Sequence, residues 1–244
     1  MNNNYDYELE KEFALQIESI YDKYKYSNNY HFYEELGDVV HNFPIHVLTD
    51  FDNTFAISTE YKLFRVSIVN AFKNNSIFGG LKDICCLMSL YLKYKFGKKN
   101  LDLILKSLFV NDISPEIINN IIKNTTFKKK GFDQLIKLKK QKGIDVLNIV
   151  VLTRNSIDLV KDWINNNKVV LRNSGLQLVG VLGNKIVFLE DSKSTVILNP
   201  IIDTHTKPKI FPQTNNFGDK IIWMSDKDEQ AQTKNNPSVE SYFV

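Results

Sequence analysis

Asp50 and Asp52 stand two residues apart in "HVLTDFDNTF", where an apolar, β-branched run breaks off. On an extended segment, residues i and i+2 face the same side, so both carboxylates look toward one place. Two like charges that close are unfavourable unless one is protonated or a cation sits between them. Two further apolar runs end in the same manner. "NIVVLT" closes on Thr153, Arg154 and Asn155, and "KIIWMS" closes on Asp226, Asp228 and Glu229. Carboxylates converging on a crevice call for a hard cation. Mg²⁺ takes oxygen ligands and keeps positions for water and phosphate. A hydroxyl such as Thr153, with backbone N–H groups where Ser156 opens a helix, suits a phosphoryl group. Acid pair, hydroxyl, cation and helix start together point to phosphoryl transfer.

Such a site needs elements that bring three strand ends together. Apolar strands alternate with helical periodicity, which predicts an α/β fold with a parallel sheet wrapped by helices and right-handed crossovers. In open sheets of that kind, ligands bind beyond the carboxyl ends of the strands. Leu9, Phe13, Ile17, Ile20, Tyr21 and Tyr24 recur at helical spacing, which predicts an amphipathic helix over 6–25. Phe32, Tyr33, Leu36, Val39 and Val40 predict a second, ending near Pro44, ahead of the strand "IHVLT". From Thr59 to about Thr126 the pattern is helical throughout, far more than a strand crossover requires. "LQLVGVLGN" and "KIVFLED" alternate like strands, with Gly183 and Asn184 as a turn between them. The expected division is an N-terminal helical extension over 1–42 packed on the core, a core over 43–56 and 128–244, and a helical cap over 57–127.

"DFDNT" resembles the first motif of the haloacid dehalogenase (HAD) superfamily, where Asp-x-Asp-x-Thr follows the first core strand. "VVLT" resembles the second motif and "IIWMSD" the acidic fourth. The inserted helices match the place of the C1-type cap of phosphoserine phosphatase-like members, and "KKKGFDQLIKLKKQKG" fits that group's core helix. The likeness spans roughly residues 45–230, and four elements in order are fairly specific.

The resemblance implies a Rossmann-like three-layer core and a Mg²⁺-dependent phosphatase acting on a small phosphomonoester. Asp50 is then the nucleophile and Asp52 the general acid/base. Asp50, Asp52 (through its carbonyl) and Asp226 hold the metal. Thr153 orients phosphoryl oxygens, Thr54 supports the loop, and Arg154 is a candidate substrate contact. The lysine that neutralises the phosphoryl group lies in "HTKPKIF", as Lys207 or Lys209, with Lys207 preferred on motif likeness. Asn53 stands where many members have Gly. Ser225 replaces a common Gly, and Gln230 takes the place of a downstream Asp. These departures, with the N-terminal helices, motivate a second reading: a HAD-fold protein with little catalysis, acting by binding.

Bulk properties narrow the classes. Thirty-one basic and 28 acidic residues leave a net charge of +3, so charge indicates no nucleic-acid partner. The lysines at 128–130 and 137–142 are expected on a solvated helix face. No apolar stretch reaches the ~20 residues of a membrane span. "MNNNYDYELEKE" lacks the basic and apolar regions of a secretory leader, and a cytoplasmic protein is expected. Cys85 and Cys86 are adjacent within an apolar run and are expected as buried thiols. His46, alternating with Val47, is expected as a satisfied interior histidine. The oligomeric state is left open.

Overall fold

The computed structural model describes residues 5–25, 27, 29–52, 54–56, 85, 126–189, 194–198, 200–203, 205–211, 221–225 and 239–244. The helical segment expected over 57–127 therefore lies almost wholly outside the described residues, as do Asn53, Asp226, Asp228, Glu229 and Gln230.

The chain divides into two compact units, one of residues 1–57, 126–185 and 199–244, the other of 58–125 and 186–198. Five strands form the sheet of the first unit: β1 (Val47–Thr49), β2 (Leu147–Ser156), β3 (Leu176–Asn184), β6 (Ile221–Ser225) and β7 (Val239–Phe243). Their order is β3-β2-β1-β6-β7 and every pairing is parallel. This is an α/β fold. Strand β1 is short and wholly buried, so its apolar run is continuous rather than alternating, as an inner parallel strand requires.

Helices α1 (Tyr7–Lys23), α2 (His31–Asn42), α3 (Lys129–Lys142) and α4 (Ile157–Asn173) belong to the same unit. Asp6 caps α1, its carboxylate accepting from the Leu9 N–H at 3.0 Å. Gly143 ends α3 in the left-handed conformation at φ 64°, returning its N–H to the Lys139 and Lys140 carbonyls. A Cβ at Gly180 of β3 would run into the Phe13 ring of α1, and one at Gly183 would lie 3.3 Å from Ile157 of α4. Positions three apart in a strand point to opposite faces, so α1 and α4 cover opposite sides of the sheet. Phe13 and Trp163 are essentially sealed from solvent. Each such side chain contributes about 1.5–3 kcal/mol relative to exposure.

Three expectations are corrected. Strands β3 and β4 (Ile186–Leu189) do not form a hairpin. β3 pairs parallel with β2, while β4 pairs antiparallel with β5 (Ser194–Ile197) in a separate two-stranded sheet. The apolar run of β3 suits burial beside β2, and the side chain of Asn184 is used inside the unit rather than in a turn. Consequently residues 186–198, which the sequence placed with the core, cluster with 58–125. Cys85 is exposed on a helix, because neighbouring helical positions point in different directions; Cys86 lies outside the described residues. Among the described residues, no helix is long and apolar enough to cross a membrane.

Candidate active site

Asp50 follows the last residue of β1, and its N–H donates to the Met224 carbonyl at 2.9 Å. That bond ties the end of β1, the central strand, to the end of its neighbour β6. The Asp50 side chain is nearly buried, and Lys207, wholly buried, donates from Nζ to Asp50 Oδ1 at 2.8 Å. An ammonium with no solvent access is stable only beside a compensating charge, so the pair is held together by its own desolvation. Lys209 instead is exposed, its ammonium 4.9 Å from the Tyr30 ring centroid and 5.3 Å from that of Tyr33.

Lys207 opens a short 3₁₀ turn, Lys207–Lys209, that is fixed from three directions. Asp203 receives the N–H groups of His205 and Thr206 on its carboxylate, each at 2.8 Å, and the Lys207 N–H on its carbonyl at 3.0 Å. Asn184, buried at the end of β3, donates to the Ile202 carbonyl at 2.9 Å and to the Arg154 carbonyl at 2.6 Å. It also accepts from the Ile202 N–H at 2.8 Å. From α2, the Tyr33 hydroxyl donates to the Ile201 carbonyl at 2.8 Å. Burial, and then the Asp203 charge, raise the pKa of that hydroxyl. A Cβ at Gly37 would lie 3.0 Å from the Ile210 carbonyl oxygen, so α2 packs directly on the turn. Helix α2 thus forms part of the support beneath Lys207.

Asp52 is half-buried, and Asn155 Nδ2 donates to its Oδ2 at 3.2 Å. Asn155 is oriented by two other bonds. Its Oδ1 accepts from the Ser156 N–H at 2.8 Å, and its own N–H donates to Thr153 Oγ1 at 3.0 Å. Thr153 is buried, and with Oγ1 accepting there its hydroxyl hydrogen is left to donate elsewhere. Arg154 is half-buried and contributes its carbonyl to Asn184. Neither Asn155 nor Asn184 is assigned to the site by the sequence: Asn155 stands only in the polar cluster that ends β2, and Asn184 reads as a turn residue.

The loop after β1 is held by α3. A Cβ at Gly131 would overlap the Thr54 carbonyl oxygen, so only glycine permits this approach of helix to loop. The Phe55 and Ala56 N–H groups close on the Phe51 carbonyl at 3.0 and 2.9 Å. Thr54 Oγ1 and, at the end of β6, Ser225 Oγ are buried without a hydrogen-bond partner among the described residues.

His46 is not part of this set. Its Nδ1 accepts from the Asn148 N–H at 2.9 Å, which ties β1 to β2.

The structure therefore brings Asp50 and Lys207 together, and Asp52 and Thr153 together through Asn155. Among the described residues, no cluster of three or more His, Cys, Asp or Glu is arranged to hold a metal ion. The described oxygen donors nonetheless suit a hard cation in chemistry: the carboxylates of Asp50 and Asp52 stand two residues apart at the end of β1, and the Asp50 carboxylate meets a buried ammonium on Oδ1.

The chain matches no family model and none of the curated proteins. Among solved structures it is similar to the HAD-hydrolase YfnB from Bacillus subtilis, itself bound to magnesium. Identity there is 11%, the TM-score 0.43, and the likeness covers 81% of this chain and 87% of that one. It is also similar to phosphoserine phosphatase from T. onnurineus, at 12% identity and a TM-score of 0.42, over 82% of this chain and 88% of that one.

Proposed function

We propose that the chain is a Mg²⁺-dependent phosphomonoester hydrolase of the HAD type, working through an aspartyl-phosphate on Asp50. The observation that carries this reading is the buried Lys207–Asp50 pair at the mouth of β1, 2.8 Å across. The "DFDNT" motif supports it. A buried lysine on a strand-end aspartate both orients the carboxylate and supplies positive charge where phosphoryl oxygens would collect.

In this reading Lys207 engages Oδ1 of Asp50, and Oδ2 attacks phosphorus. The bond from phosphorus to the leaving oxygen breaks as Asp52 gives that oxygen its proton. Asp52 then takes a proton from water, whose oxygen attacks phosphorus and releases the Asp50 carboxylate. Asn155 holds Asp52 in place for both transfers. Thr153 and Lys207 bind the phosphoryl oxygens, with Arg154 as a further contact. Asp50, Asp52 and Asp226 would hold Mg²⁺, which when bound supplies positive charge to offset that of the carboxylates and the phosphoryl group.

The test is turnover of an aryl phosphate by purified protein with Mg²⁺. Wild type is expected to hydrolyse it and Asp50→Asn to be inactive; equal turnover by both would refute the assignment.

A further inference from the structure

A cavity lies away from Asp50, between α1 and α4 at the sheet margin, with a volume of about 270 Å³. Its floor is the run Leu176–Val181 of β3, the outermost strand. Consecutive strand residues point to opposite faces, so a cavity touching six in a row looks onto the strand's edge. Phe13 and Ile17 of α1 and Leu171 of α4 supply apolar walls.

The polar part of the lining is unequally matched. Lys168 pairs with Glu10 at 3.4 Å, and Lys161 with Glu18 at 3.8 Å. Arg172, at the end of α4, lies with its guanidinium carbon 4.6 Å from the Tyr7 ring centroid and 5.6 Å from that of Tyr5. Its Nε and Nη2 are buried and meet no acceptor among the described residues. Those two nitrogens carry the parallel N–H bonds that form one side of the guanidinium fork, the side that receives a carboxylate through two bonds. Arg172 is half-buried, and leaving two desolvated N–H-bearing nitrogens of its guanidinium without an acceptor is costly; an anion that reaches them relieves it. One guanidinium neutralises one negative charge, while Glu10 in the same lining disfavours a second.

We infer that this cavity is a binding site for a small organic monocarboxylate with an apolar body, its carboxylate on the Arg172 guanidinium, whose Nε–Nη2 side is reached by rotation of the side chain toward the cavity. The site shares no residue with the Asp50 centre and stands whether or not that centre hydrolyses phosphate esters.

Isothermal titration of the full chain with hexanoate tests it, with hexanamide and inorganic phosphate as comparison probes. Wild type is expected to bind hexanoate at one saturable site. Arg172→Gln and the neutral amide should each weaken binding by about tenfold or more, the usual worth of a hydrogen-bonded charge. No saturable heat with wild type, undiminished affinity in Arg172→Gln, or equal affinity for inorganic phosphate would overturn the proposal. Should Arg172→Gln fail to fold, Ala14→Phe narrows the cavity and keeps the arginine. Lost hexanoate binding there supports the site, and retained binding contradicts it.

Discussion

Lys207 Nζ donates to Asp50 Oδ1 at 2.8 Å, and the ammonium has no exposure to solvent at all. The pair joins a residue at the end of β1 to one that follows 157 positions later in the chain. Removing one partner leaves a desolvated charge, which costs far more than the net worth of the pair. Lys207→Met is therefore expected to destabilise the protein by about 3–5 kcal/mol. Adding Asp50→Asn to that variant should recover a large part of the loss, as read by urea denaturation. If the double variant is no more stable than Lys207→Met, the two groups are not energetically coupled.

Asn155 donates to Asp52 at 3.2 Å, and this bond is open to a graded substitution. Asn155→Ala removes the donor and should lower kcat about tenfold. Asn155→Asp sets a like charge beside Asp52 and should lower it about a hundredfold. Steady-state kinetics with an aryl phosphate decides the ranking, and KM should move less than kcat in both. Equal activity in all three proteins would remove Asn155 from the site.

Gly131→Ala places a methyl group on the Thr54 carbonyl oxygen, a backbone atom that cannot swing aside. Overpacking of this kind costs about 1–3 kcal/mol. The loop carrying Asp52 should shift with it, so activity should fall more than thermal stability does. A variant with wild-type turnover would show that loop geometry is not set by α3.

Gly37→Ala and Tyr33→Phe disturb the seat of the 3₁₀ turn on α2 without touching Lys207 itself. Each is expected to reduce kcat several-fold, about 0.5–1.5 kcal/mol for the lost Tyr33 bond, with the circular dichroism spectrum unchanged. Turnover equal to wild type would mean that α2 does not position the lysine.

Tyr21 is fully buried, its hydroxyl donating to the Gly183 carbonyl at 2.5 Å, and burial pushes its pKa far above the ordinary 10.0. A raised folded pKa contributes stability that is fully present below the unfolded value. That stability is lost as pH climbs from there toward the folded value. Melting temperature should therefore drop between about pH 9 and about pH 11, and the slope should be shallower in Tyr21→Phe. Identical slopes would show that Tyr21 does not drive the alkaline loss.

Much of this arrangement was legible in the residues. Helices α1 and α2, the strand before Asp50 and the parallel order around it follow from periodicity and proline placement, because burial dictates those patterns locally. Asp50, Asp52 and Thr153 stand out because few residue types can do their chemistry, whereas Lys207 is separated from Lys209 only by motif likeness. Asn155 and Asn184 do not stand out, since asparagine serves equally in any turn and only the fold shows which carbonyl or carboxylate it meets. Asn184 misled outright: after Gly183 it reads as a hairpin turn, whereas its amide binds Ile202 and Arg154. Gly131 was silent for a related reason, as its role is the space it leaves for Thr54. The closing strand β7, "VESYF", passed unread because a mixed five-residue run becomes a strand only beside β6.

The central claim is that Asp50 itself carries the phosphoryl group. Acid-quenched reaction of the protein with Mg²⁺ and a labelled aryl phosphate, followed by peptide mass spectrometry, tests it most directly. The account predicts a phosphoryl adduct on Asp50 that is released by hydroxylamine and absent from Asp50→Asn. Turnover with no adduct on Asp50, or an adduct on another residue, would contradict it.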